Sequence, residues 1–198
     1  MSAIALALTF FFVTNPIGMS PTIVAMVKDY PFEKQKKIVL REGIFSFLIA
    51  LFFLYAGEYF LKILNAKDYA LSLTGGIVLF ITSVQMLFPK KAIDPQTIQL
   101  KREPFIVPIA TPLLSGPGLM TTIMIYSRME NNNFKIFFAI TLTWIGVITV
   151  LAIAPYLQKL IGKRGLEALE QVMGLVLGLI SIEMFINGGK LFVKSLAI

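Results

Sequence analysis

The 198-residue chain contains no cysteine and no histidine. The first absence excludes disulfides and thiolate nucleophiles. The second removes the commonest general base, and together they leave no Cys/His zinc site. Charge is scarce as well: Asp, Glu, Lys and Arg make up 15% of the residues, against about 25% in an ordinary soluble domain. Apolar residues make up 57%, and the mean hydropathy is +0.80. A soluble fold of this size leaves roughly a third of its unfolded surface in water, and too little polar surface exists here to cover it. The composition therefore points to a protein embedded in lipid. The net charge of +7 would suggest a nucleic-acid partner in a soluble protein. In a membrane protein it is a topology signal, and no nucleic-acid partner is expected.

A transmembrane helix needs about 20 largely apolar residues. Long stretches without charge, such as Met1–Val27, Tyr69–Pro89, Pro104–Ser127 and Ile136–Gln158, mark out six spans: about 2–27, 38–60, 69–88, 104–127, 135–157 and 167–188. The first stretch lacks the basic flank of a secretory signal and is expected to be retained. No soluble domain interrupts the pattern. A single transmembrane domain is expected over 1–198, divided into about 1–89, a cytoplasmic loop at about 90–103, and about 104–190.

Orientation follows from the basic residues, which stay in the cytoplasm. Loops on one side carry Lys28, Lys34, Lys36, Lys37, Arg41, Lys90, Lys91, Lys101, Arg102, Lys159, Lys163 and Arg164, twelve in all. The other side carries six: Lys62, Lys67, Arg128, Lys135, Lys190 and Lys194. This split places both termini on the outer side of the cell (inner) membrane.

The chain also resembles itself. Shifted by 98 residues, Ala70–Met86 lies over Ala168–Met184 with seven of seventeen positions identical, among them Gly76/Gly174, Ser83/Ser181 and Met86/Met184. Near an offset of 96, Pro16–Pro21 lies over Pro112–Pro117, both Pro-x4-Pro. The first match relates spans 3 and 6, the second spans 1 and 4. Two halves of three spans each must enter the membrane from opposite sides. The fold expected is all-α, six transmembrane helices as two inverted three-helix repeats, an arrangement typical of secondary transporters.

Thr14-Asn15-Pro16-Ile17-Gly18 falls inside span 1, and Thr111-Pro112 with Ser115-Gly116-Pro117-Gly118 inside span 4. Proline removes an amide donor and clashes with the preceding turn, and glycine permits unusual dihedrals. Packed proline kinks are the plain alternative. Two interruptions in repeat-equivalent positions favour helices broken at mid-membrane, which lipid tolerates only where protein or a wet cavity covers the freed backbone. Helix N-termini after the breaks offer N–H groups and partial positive charge, and helix ends before them offer carbonyls. A small zwitterion fits: carboxylate to the amides around Gly18 and Gly116–Gly118, ammonium to carbonyls near Thr14, Asn15 and Thr111. Side chains of Thr14, Asn15, Thr111, Ser115 and Thr121 add hydrogen bonds. With Pro16, Gly18, Pro112, Gly116 and Gly118 these form the expected substrate site. The expected partners are that solute and the bilayer; oligomeric state is left open.

Glu183 is the one acid well inside a span by sequence, and intramembrane carboxylates are usually functional. Two readings stand beside each other: a carrier of a coupling proton, or an interfacial acid hydrogen-bonded to Asn187. Gln85 is its repeat partner. Gly75-Gly76 and Gly174-x3-Gly178 allow close helix approach, Trp144 is expected to pack, and Arg41-Glu42 to anchor at the interface. No catalytic group, cofactor or metal is called for.

The stretches Phe11–Pro21, Arg41-Glu42-Gly43 and Pro108–Gly118 resemble the MarC family over essentially the whole chain. The family motif often has Ala where this chain has Ser115. The resemblance implies a carrier of small neutral amino acids such as glycine and alanine, ion- or proton-coupled, with its site at Thr14–Gly18 and Thr111–Gly118. An exporter of other small or apolar compounds, and a structural or regulatory membrane protein, are the alternatives.

Overall fold

The computed structural model describes residues 1–63, 65–88, 103–130 and 132–196. The expected cytoplasmic loop, but for Glu103, lies outside the described residues. The elements are α1 (Ala3–Thr14), α2 (Pro16–Val27), α3 (Phe32–Ile63), α4 (Asp68–Leu87), a π-helical turn (Ile109–Leu114), α5 (Pro117–Met129) and α6 (Asn133–Leu196). No strand occurs among the described residues.

Local sequence accounts for these limits. Ser2 caps α1 by accepting from the Ala5 amide at 3.1 Å. Pro31 starts α3, its carbonyl taking the Lys34 and Gln35 amides, and no breaker follows until past Ile63. The resulting 32 residues span about 48 Å at about 1.5 Å each, so α3 extends well beyond the expected 38–60. α5 begins at Pro117, whose fixed φ suits a first turn. α6 contains two apolar arms, Asn133–Ala154 and Glu167–Leu196. Between them Gly162 takes φ +66°, ψ 178°, a conformation that only glycine adopts without strain.

Among the described residues four helices are long and apolar enough to cross a membrane: α3, α4 and both arms of α6. α1 and α2, bent by 41° at Asn15, make a fifth when taken as one span. The region expected as span 4 is a π turn, an extended corner and a 13-residue helix, the helix being about 20 Å long against a hydrocarbon core of about 30 Å.

Two apolar clusters position the breaks. Leu6, Phe10 and Val13 of α1 pack with Leu119 and Ile123 of α5 and Ile140 and Trp144 of α6. Ile23 and Val27 of α2 pack with Ile109 and Leu114 of the π turn and Val147 and Leu151 of α6. The first half of one interrupted segment thus lies against the second half of the other. Outward, Leu8, Phe52, Ile145 and Leu179 are exposed apolar side chains, which suit lipid.

α4 and the second arm of α6 meet through the glycines that the internal match picked out. A Cβ on Gly76 would lie 3.1 Å from the Ser181 carbonyl oxygen and 3.4 Å from Met184 Cβ; one on Gly174 would lie 3.3 Å from the Ser83 carbonyl oxygen and 2.9 Å from Met86 Cβ. Each contact becomes the other under the 98-residue shift. Ser83 also donates to the Gly174 carbonyl at 2.8 Å. Trp144 packs as expected, 2% exposed, donating its indole N–H to the Gly43 carbonyl at 3.0 Å.

Candidate functional site

The first break is a single residue. Asn15 ends α1 and begins α2 with φ 50°, ψ 54°, the left-handed region in which Asn is several-fold enriched. Its own amide still bonds the Phe11 carbonyl at 2.9 Å, and its carbonyl accepts from Met19 at 3.0 Å. Its side-chain oxygen accepts from the Gly18 amide at 3.1 Å, an N-cap that supplies one of the donors helix α2 leaves unpaired. Its side-chain nitrogen donates to the Met86 sulfur of α4 at 3.1 Å. Pro16 fills the first helical position of α2, where no amide is needed. Thr14 bonds the Phe10 carbonyl at 2.8 Å. Thr14 and Asn15 are only 2% and 1% exposed. Gly18 leaves no room for a side chain: a Cβ there would lie 2.4 Å from Asn15 Nδ2.

The second break is longer. Thr111, inside the π turn, is extended at φ −138°, ψ 135°, and Gly116 is extended at φ −79°, ψ 168°. Pro112 lies between them, and its carbonyl oxygen would be 2.8 Å from a Cβ on Gly116. Ser115, fully buried, shares a 2.8 Å hydroxyl–hydroxyl bond with Ser46 of α3 and lies 2.9 Å from the Ser46 carbonyl. Thr111 reaches the Ser115 carbonyl at 3.4 Å. Gly116 brings no side chain to cap α5. Gly118 packs against α4, where a Cβ would meet Leu79 Cδ2 at 2.6 Å. Thr121 bonds the Pro117 and Gly118 carbonyls, both at 2.9 Å.

Of the sequence-predicted residues of the two breaks, Thr14, Asn15, Pro16, Gly18, Ser115, Gly118 and Thr121 are buried, Thr111 and Gly116 are half-buried, and Pro112 is exposed; α1–α2 meets α5 and the π turn there. Glu183 and Gln85 stand apart, both exposed on the outside of the helices. Arg41 and Glu42 correct an expectation. Read as interfacial anchors, they divide instead: Arg41 is 33% exposed, but Glu42 is fully buried. Glu42 was missed because it follows a lysine-rich loop. The helical spacing of Ile38, Glu42, Ser46, Ala50 and Leu54, all buried, carried the signal, since residues four apart share a face.

Arg41 joins three groups. It pairs with Glu42 Oε1 at 3.0 Å and with Glu103 at 2.9 Å, and donates to the Pro104 carbonyl. Lys34 meets Glu103 at 2.8 Å. The hydrogen bonds from Lys34 and then Arg41 hold the Glu103 carboxyl below the usual carboxylate range. Arg41, Glu103 and Lys34 line a cleft of about 480 Å³ with Pro31, Lys37 and Ile38; Glu42 lies behind Arg41 and does not line it. An apolar cavity of about 210 Å³ lies between α2, α3 and α6, lined by Ile23, Val27, Val39, Ile148 and Leu151 among others. No residue of the two breaks lines either cavity.

Apolar helices of membrane length, packed around interrupted segments, define a multi-pass integral membrane protein. The sequence pattern of the MarC family integral membrane proteins matches residues 1–193. The chain belongs to that family. It is 32% identical to the UPF0056 inner membrane protein YhgN of Escherichia coli K12, over 96% of this chain and 98% of that one. It is 33% identical to the UPF0056 membrane protein BU449 of Buchnera aphidicola from Acyrthosiphon pisum, over 92% and 93%. It is also 33% identical to a UPF0056 membrane protein of Chlamydia trachomatis serovar D, over 99% and 93%. No solved structure matches the chain.

Proposed function

We propose that the chain is a secondary transporter of small neutral amino acids, of the size of glycine or alanine, and not an enzyme. In this reading six spans form two inverted halves, about 1–89 and 104–190, which rock about the interrupted segments to give alternating access. The crossing of the two breaks carries the proposal: α1 lies against α5 and α2 against the π turn. Irregular backbone at membrane depth is tolerated where it serves a buried or wet site, and paired interruptions mark transporter sites. The reciprocal glycine contacts of α4 and α6 support halves of opposite direction. The asymmetry of basic residues supports outward-facing termini.

The site chemistry follows from the helix ends. α5 has no side-chain cap, so its first turn offers amides and partial positive charge to a substrate carboxylate. The Gly18 amide, now bonded to Asn15 Oδ1, is the second donor, with the carboxylate replacing the Asn15 oxygen. The ammonium faces carbonyls at the end of α1 and at Thr111. Gly18, Gly116 and Gly118 are closely packed by Asn15, the Pro112 carbonyl and Leu79, so little space exists beside them, which favours a small amino acid. The breaks are packed shut here, so α1–α2 must part from α5 for substrate to enter.

Proteoliposomes given labelled glycine and alanine, with and without a pH gradient, test the proposal. Saturable uptake or counterflow is expected. Absence of both, together with no thermal stabilisation by any neutral amino acid, overturns it.

A further inference from the structure

Glu42 is 0% exposed in the interior of α3. Its Oε1 is paired with Arg41, while its Oε2 is buried and has no hydrogen-bond partner among the described residues. Burying an ionised carboxylate with half its acceptor capacity unused is costly. A proton on Oε2 removes that buried charge, at the expense of the ion pair with Arg41. Sodium is a poorer occupant, because it needs several converging oxygens and no hydroxyl or amide reaches Oε2.

We propose that Glu42 is a proton-binding site, taking up a proton on Oε2 from the cleft beside Arg41 and releasing it again during the transport cycle. This use of the proton rests on the transporter reading above; the protonation itself does not. The step balances simply: a proton from water forms an O–H bond on Oε2, a neutral carboxyl results, and the reverse step returns the proton to water.

The location gives the proton something to move. Glu42 lies between two ties from α3 to the second break. On one side Arg41 holds Glu103 and the Pro104 carbonyl, which lead into the π turn. On the other, one helical turn along the same face, Ser46 holds Ser115 within the break. Glu42 and Glu103 together orient the Arg41 guanidinium. Neutralising Glu42 removes one of those carboxylates and loosens the clamp at the entry to the second break. The cleft of about 480 Å³ lined by Arg41 and Glu103 gives water a route to the guanidinium that touches Glu42. The charged groups facing Glu42 are Arg41 of its own helix and, through Arg41, Glu103 with Lys34. Among the described residues no charged side chain of α5, α6 or the π turn pairs with it. Glu183, the acid singled out from the sequence, is exposed and touches neither tie.

Infrared difference spectra of the whole protein in lipid vesicles, recorded as the pH is lowered, test the site directly. A band from a buried protonated carboxyl should grow in the wild type and be missing in E42Q. E42D, which keeps the acid, should shift the band, and it serves should the Gln variant fail to fold. Identical spectra in wild type and E42Q, or a band that E42D leaves unmoved, overturn the proposal. In proteoliposomes, accumulation driven by a pH gradient should fall to the level of protein-free vesicles in E42Q. Accumulation driven only by a sodium gradient and dependent on Glu42 also overturns it. Counterflow by the wild type, with no gradient, separates the two readings: its absence, with no uptake and no thermal stabilisation by a neutral amino acid, beside an intact Glu42 band ends the transport proposal and leaves the proton site standing.

Discussion

The two interrupted segments share a sequence pattern, Pro-x4-Pro, and solve the same backbone problem in different ways. At Asn15 one residue turns the chain, caps the next helix with its own side chain and keeps its own amide and carbonyl in helical bonds to Phe11 and Met19. The second break spreads over Thr111–Gly116 and adds to its own backbone bonds a tie to another helix, through Ser46. The first is a local device that the sequence carries within itself. The second is tied to α3 by side chains as well. In a protein that rocks one half against the other, the self-sufficient break suits a rigid pivot. The tied break suits an element that changes when α3 moves.

The largest effect should come from removing the local device. Asn15→Ala places a residue with no αL preference in the left-handed region, costing about 1–2 kcal/mol, and deletes the cap, worth about 1 kcal/mol. Unfolding in detergent should register about 2–3 kcal/mol in total, whereas Asn15→Gly, which keeps the backbone freedom, should cost clearly less. Equal losses in the two variants mean that the turn is not what Asn15 supplies.

Glycines in the two breaks should differ next. Gly116→Ala drives a Cβ against the Pro112 carbonyl, a backbone atom 2.8 Å away, and should cost about 2 kcal/mol, the middle of the overpacking range. Gly18→Ala meets the end of the Asn15 side chain, which can swing aside at the cost of its cap, so a smaller loss is expected from the same unfolding measurement.

The tie to α3 should be worth about 1 kcal/mol, the scale of interhelical hydrogen bonds in membranes. It is read as the coupling energy in a double-mutant cycle of Ser46→Ala and Ser115→Ala. Additive losses break the contrast between the two regions.

The smallest effect is one of pH. Lys34 and Arg41 lower the Glu103 carboxyl, so its ion pairs stabilise the fold above the ordinary carboxylate range. That contribution is lost as pH falls through the lowered folded value. Melting temperatures across acid pH should fall less steeply in Glu103→Gln than in the wild type.

Much of this was legible in the residues. Pro16, Pro112 and Pro117 located both breaks because proline's missing amide removes a helical bond, whereas Pro21 lies inside α2 without breaking it. Matched Gly76 and Gly174 foretold the α4–α6 contact because close approach needs absent side chains. Glu42 was not read correctly: five basic residues from Lys28 to Arg41 masked the apolar stripe on which it falls. Glu183 is exposed, which its linear position along a span could not show, since that says nothing about which way a side chain faces.

By itself the sequence determined the solvent and the interruptions, since apolar content fixes where a chain dissolves and proline and glycine act on their own backbone. The tertiary structure alone decided which polar groups lie inside and what they bond. Asn15 finds Met86, Ser115 finds Ser46, and Glu42 keeps one oxygen unpaired, because these contacts join residues 69 or 71 positions apart or depend on what packs over α3, which no local pattern can encode.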